Sequence, residues 1–176
     1  MNDKGIWQAK KLADRLGDPS SVKVYSSDLK RAYETAEIIF KNNSIEKIAD
    51  FREMNFGLFE GLKYEEIVGR YPKLYRDWVD NPEKVKIPNG EGLRDLRKRV
   101  KDKLALILFQ QPGKTLAVVT HSGPIRVILC DALKLGLNMF WQIGQETGAL
   151  NIIDYAKESS PAVAKVNDIS GLSTEC

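Results

Sequence analysis

The 176-residue chain has one histidine, His121, and two cysteines, Cys130 and Cys176. One histidine leaves too few nitrogen ligands for a zinc site. No cluster of His, Cys and carboxylates has metal-ligand spacing, so neither a metal nor any other cofactor is expected. Two cysteines make no disulfide framework, and Cys130, set in an apolar stretch, reads as a small buried hydrophobe. There is no signal peptide and no apolar run of membrane-spanning length, which predicts a cytoplasmic protein without membrane contact. Neither sign of charge is in excess. Lys+Arg 27 against Asp+Glu 24 leaves +3, too little to argue for nucleic acid. The densest basic cluster, Arg94, Arg97, Lys98, Arg99, Lys101 and Lys103, alternates with apolar residues and reads as the wet face of a helix. Repeats and dividing linkers are absent too. The expectation is one domain over residues 1–169 with a frayed tail at 170–176, large enough to bury a core unaided.

What the chain does have is concentrated in Thr115-Leu-Ala-Val-Val-Thr-His-Ser-Gly-Pro-Ile-Arg126. Leu116–Val119 reads as a strand buried on both faces. Pro124 suits the first position of a helix running from Ile125 to Leu135. A strand turning sharply into a helix leaves free N–H groups and a positive dipole end at the carboxyl edge of a sheet, a ready anion site. A lone histidine is by default a satisfied structural group. Its place at this junction is what lets His121 touch a bound anion.

Upstream, Asn2 and Asp3 cap a helix from Lys4 to Leu16, and Val22–Tyr25 forms a strand. Ser26-Ser27-Asp28 is expected to cap a second helix, Leu29 to about Lys41. Lys30 and Arg31 lie in its first turn, where the dipole disfavours cations. Either Arg31 pairs with Glu34, or its planar fork faces a bound anion. Ile48–Phe51 suggests a third strand. The loop after it carries Glu53 and Glu60 among Met54, Phe56 and Phe59, where a carboxyl with a raised pKa could act as a general acid. The residues alone do not choose between the two. Short helices over Tyr64–Tyr71 and Leu74–Val79 follow, then a loop with an Asn89-Gly90 turn, and an amphipathic helix from Glu91 to about Phe109. An apolar segment, Leu137–Trp141, precedes two strands, Ala149–Tyr155 and Ala162–Val166, joined by a hairpin loop at Glu158–Pro161.

In combination these segments resemble the histidine phosphatase superfamily, the phosphoglycerate mutase-like fold, over nearly the whole chain. Asn2–Ala13 is similar to the family's first helix. Ser26-Ser-Asp-Leu-Lys-Arg-Ala-Tyr-Glu-Thr-Ala36 is similar to the segment bearing a phosphate-pocket arginine, which would be Arg31. Phe51–Gly61 resembles the loop of the proton donor, which would be Glu53. Val119-Thr-His-Ser-Gly123 resembles the second-histidine motif, with His121, Ser122 and Gly123 at the phosphate. The implied fold is three-layer α/β/α with a mostly parallel sheet. Gly57–Ile67, Tyr71–Tyr75, Trp78, Pro82 and Pro88–Glu91 look closest to α-ribazole phosphatase-like members. Gly92 stands where those often have serine, and Phe59 where tryptophan is frequent. The resemblance therefore implies a phosphatase of cobalamin biosynthesis acting on α-ribazole 5′-phosphate, with broad-specificity phosphatases sharing most of the pattern. The implied partner is a small-molecule phosphate ester, in a protein that can be an oligomer.

The departure is at the front, where the family has a central strand ending in Arg-His-Gly, its histidine the nucleophile. That strand is missing here, so the chain as given is expected to be inactive or nearly so, with unpaired strand edges and poor stability. Met1 stands where the family often has leucine, as it would if an internal leucine codon had been read as a start. A non-catalytic phosphate-binding protein is the alternative expectation.

Overall fold

The computed structural model describes residues 1–17, 19–156 and 160–172. Asp18 of the expected loop, residues 157–159 of the expected hairpin and residues 173–176, Cys176 included, lie outside them.

Three short strands make the parallel sheet: β1 (Lys23–Ser27), β2 (Ile45–Ile48) and β3 (Leu116–Val119), in the order β2-β1-β3. β1 aligns Val24 with Ile45 on one side and with Ala117 on the other. Successive side chains point to opposite faces of a strand, and the packing follows that rule. Val24, Ala117 and Val119 join α1 (Asp3–Leu16) and α2 (Lys30–Ile39) through Ala9, Leu12, Ile39 and Phe40. Tyr25, Leu116 and Val118 join α5 (Leu93–Gln110) and α6 (Ser122–Ala132) through Leu96, Val100, Ile107 and Val127. Helices on both faces of a parallel sheet make the expected three-layer α/β/α arrangement.

Several elements differ from their expected form. Ser26 and Ser27 belong to β1 and are wholly buried, and the α2 N-cap, Leu29, has no side-chain cap bond. Ile48 ends β2, and Ala49–Phe51 turns as a 3-10 helix that buries Phe51. α6 begins at Ser122, which makes Pro124 its third residue; proline is equally free there, because the donors of a first turn have no intrahelical acceptor. β3 is half-buried rather than buried on both faces, since its outer edge has no strand partner among the described residues. The tail is not frayed at 170–172: Leu172 is buried and its N–H bonds to the Ile169 carbonyl. The two last strands, β4 (Leu150–Asp154) and β5 (Ala162–Asp168), form a separate antiparallel pair. Leu150 nevertheless packs in the same cluster as Ala117 and Val119 of β3, without ladder bonds between the strands. Cys130 is buried, as its apolar setting implied. No helix among the described residues is long and apolar enough to cross a membrane.

Between the layers and solvent lies an aromatic cluster. α3 (Tyr64–Arg70) and α4 (Pro72–Asp80), the latter through its own buried Trp78, pack over Phe59 and Ile87. Beneath them the 52–61 loop locks onto the Pro88-Asn89-Gly90 turn. Leu58 N–H donates to the Pro88 carbonyl at 3.1 Å, and Glu91 N–H to the Asn55 carbonyl at 2.8 Å. Gly57 makes the fit possible: its φ is +52°, and a Cβ there would stand 2.2 Å from the Pro88 oxygen.

Gly57→Ala is therefore expected to lower the unfolding free energy by about 2–4 kcal/mol in urea melts, from left-handed strain plus a backbone clash. Gly69→Ala, inside α3 with open space around it, serves as the control and is expected to gain about 0.5–1 kcal/mol from helix propensity.

Candidate active site

The carboxyl edge of the parallel sheet gathers the residues singled out above. His121 is the N-cap of α6, in extended conformation. Parallel pairing of β1 with β3 puts Ser26 opposite Val119, so Ser27, next along β1, comes beside the residues that follow β3. His121 Nε2 lies 2.9 Å from the Ser27 hydroxyl, and both side chains are buried. Thr120 donates its hydroxyl to the Phe51 carbonyl at 2.6 Å, tying the same edge to the loop of Glu53.

His121 is neutral at ordinary pH. Burial first, then the positive charges of Arg31 and Arg99, push its pKa down to about 4, against a smaller opposing effect of Asp28. The Arg31 guanidinium is exposed in the first turn of α2 and has no hydrogen-bond or ion-pair partner among the described residues. Pairing of Arg31 with Glu34 does not occur. Glu34 is taken by the Met1 amino group at 2.9 Å and by Lys30 at 3.8 Å, the latter the favourable i,i+4 spacing. Arg31 is thus the unpaired cation beside a neutral histidine.

The geometry separates the two loop carboxylates. Glu60 is exposed and accepts from Phe56 N–H at 2.8 Å, closing its own turn. Glu53 reaches the N-terminus of α6. Its Oε1 accepts from Gly123 N–H at 3.1 Å and Met54 N–H at 2.8 Å, and its Oε2 from the Ser122 hydroxyl at 3.2 Å. A carboxylate complements the positive end of a helix. Gly123 permits the approach, since a Cβ there would lie 2.3 Å from Glu53 Oε1. The Ser122 and Gly123 donors expected at a phosphate are therefore engaged by Glu53.

The surroundings of Arg99 in sequence point to a wet helix face. The residue is instead half-buried, and its guanidinium fork grips the Glu53 loop from below. It donates to both oxygens of Glu91 at 2.7 and 2.8 Å, and to the carbonyls of Asp50, Arg52 and Glu53 at 2.6, 2.9 and 3.2 Å. Only Glu91, directly after the Asn89-Gly90 turn, hinted in the sequence at such an arrangement. On the rim, Arg52 makes a bidentate pair with Asp28 at 2.7 and 2.5 Å, which holds the Asp28 carboxyl below its usual range. Among the described residues no group of His, Cys, Asp and Glu stands together as a metal site.

Comparison with known proteins returns one consistent picture. The model of the histidine phosphatase superfamily (branch 1) matches residues 1–169. Phosphoserine phosphatase 1 of Hydrogenobacter thermophilus is 33% identical over 169 residues, covering 95% of this chain and 80% of that protein. Phosphoglycerate mutase-like protein 4 of Arabidopsis thaliana is 40% identical over 131 residues, covering 72% of this chain and 57% of its own length. The solved structure of α-ribazole phosphatase from Shigella flexneri superposes with a TM-score of 0.83 at 23% identity, over 96% of this chain and 84% of that one.

The buried neutral His121 has a measurable consequence. An unfolded histidine takes up its proton near pH 6.5, whereas the folded chain withholds it until about pH 4. The unfolded state binds more protons in that window, so stability falls as pH drops through it and the loss levels off below pH 4. The loss attributable to His121 is on the order of 3 kcal/mol. Denaturant melts at pH 7, 5.5 and 4 are expected to trace this slope in the parent chain and to lose that component in His121→Gln.

Proposed function

The chain belongs to the histidine phosphatase superfamily (branch 1), and from that premise we propose that it is a metal-independent phosphatase of small-molecule phosphomonoesters. The observation that carries the reading is the seating of Glu53 on the α6 N-terminus, beside buried His121 and unpaired Arg31. Arg31 and neutral His121 hold the phosphoryl oxygens by charge and hydrogen bonding, which stabilises the charge spread over a transferring phosphoryl group. Glu53 protonates the leaving alkoxide as its bond to phosphorus breaks.

The attacking group this reading requires is a histidine other than His121, the one that the resemblance puts in the family's N-terminal Arg-His-Gly strand. Its nitrogen bonds to phosphorus as the alcohol departs. Water then attacks the phosphohistidine, giving up a proton to Glu53 and releasing phosphate. The 176-residue chain has no second histidine, so as given it binds phosphate esters without appreciable turnover. A purely binding protein is the alternative. Against it stands the placement of Glu53, since a site that only captures anions gains nothing from a carboxylate at its mouth. For the substrate, the motifs around Gly57–Ile67 and Pro88–Glu91 favour α-ribazole 5′-phosphate, a step of cobalamin biosynthesis. The 33% identity to a phosphoserine phosphatase favours phosphoserine. A cytoplasmic setting fits either ester.

The test begins with binding. Inorganic phosphate titrated into the 176-residue chain is expected to shift the single histidine NMR signal saturably. Arg31→Met weakens that binding at least tenfold, whereas Glu53→Gln, which removes a competing anion from the α6 N-terminus, does not weaken it. With an N-terminal strand carrying Arg-His-Gly restored, hydrolysis of α-ribazole 5′-phosphate or phosphoserine is expected to appear, and to drop about 10²–10⁴-fold in Glu53→Gln. No phosphate binding by the chain, or hydrolysis indifferent to Glu53, rules the reading out.

A further inference from the structure

Arg126 lies four residues after Ser122 on α6, so helix geometry brings it onto the same face as the hydroxyl that contacts Glu53. Its Nε donates to the Ile143 carbonyl at 2.8 Å. Its guanidinium carbon stands 5.3 Å from the centre of the Trp141 ring and 5.5 Å from that of Phe140. One hydrogen bond and two aromatic faces fix the plane of the group, yet its two terminal nitrogens have no acceptor among the described residues. The cation is half-buried, and the carboxylate whose charge supports it is Glu53.

A second observation points the same way. The indole N–H of Trp141, against which Arg126 stacks, is buried without an acceptor among the described residues, as is that of Trp78, whose ring meets Trp141 edge-on at 4.7 Å. Buried donors are ordinarily satisfied. Here two lie unsatisfied among the described residues, in one cluster against Arg126, whose charge Glu53 supports. Planar guanidinium with both terminal nitrogens free matches a carboxylate in the bidentate manner.

We propose that Arg126 binds a carboxylate carried by the alcohol portion of the substrate, and so selects phosphate esters whose leaving group is anionic. The inference rests on the phosphatase-site reading above and narrows its substrate class: phosphoserine has such a group, while α-ribazole 5′-phosphate has none. Arg126 acts on specificity, and the phosphoryl group is handled by Arg31 and His121.

The decisive pair of ligands is O-phosphoserine and O-phosphoethanolamine, identical except for the carboxylate. Binding to the 176-residue chain by calorimetry needs no turnover. The expected result is at least tenfold tighter binding of phosphoserine, a difference that collapses to under twofold in Arg126→Gln while phosphoethanolamine affinity changes less than twofold. Arg126→Lys, which keeps the charge but not the fork, is expected to fall between. Equal binding of the two esters by the parent chain overturns the proposal, whatever the variants do. So does an equal loss for both esters in Arg126→Gln, which is the result if Arg126 merely anchors the Leu137–Gln142 turn. Failure of inorganic phosphate and both esters to bind at all removes the site reading itself, and this inference with it.

Discussion

The site depends on the grip of one guanidinium. Arg99, on α5, spans the two oxygens of Glu91 and three carbonyls of the Asp50–Glu53 segment, those of Asp50, Arg52 and Glu53. Backbone carbonyls turned inward need donors, and a loop has no ladder to supply them. Arginine delivers five donors in a rigid plane, and bonds to a charged donor contribute about 1.5–3 kcal/mol each. Glu91 keeps that half-buried charge neutralised, and Glu91 is itself held by its N–H to Asn55. The same knot thus joins the 52–61 loop, the Pro88–Gly90 turn and the start of α5, and its outcome is the position of a single carboxylate.

From that position the electrostatics of the edge follow. The positive end of α6 is met by Glu53, the rim cation Arg52 by Asp28, and the α2 carboxylate Glu34 by Lys30 and the amino terminus. Among the described residues Arg31 and Arg126 are cations near the edge without an ion pair, one on α2 and one on α6, with His121 kept neutral chiefly by burial. Two arginines without an ion pair stand around one carboxylate at this edge, a local excess of positive charge that favours anions.

Much of this was legible in the residues, and the misses have physical causes. The β3–α6 junction could be placed because Leu116–Val119 and the Ser-Gly-Pro that follows obey local rules of strand, turn and helix start. The helix boundary slipped because proline is welcome anywhere in a first turn. Ser26-Ser27 looks like a cap in one dimension, but the strand continues through it because the Ser27 hydroxyl meets His121 and Ser26 bonds to the Ser27 carbonyl. Arg31 could be picked out because a cation in a first turn is locally unfavourable. Arg99 could not, because its partners lie eight and about fifty residues away, and a helix surface rich in Lys and Arg hides one that turns inward. Glu53 was singled out over Glu60 by the family resemblance and not by the local pattern, since both sit in the same loop and only in three dimensions does one of them reach α6.

The seat at the α6 N-terminus already has an occupant that cannot diffuse away. Any anion drawn to the Gly123 N–H competes with Glu53, tethered a bond or two from contact and present at the high effective concentration of an intramolecular ligand. What is measured as affinity there is an exchange of one anion for another. Such an exchange would run in both directions: as an incoming anion loosened, the carboxylate would return to the vacated N–H and keep it from settling again. A built-in competitor of this kind sacrifices tight capture in favour of quick release.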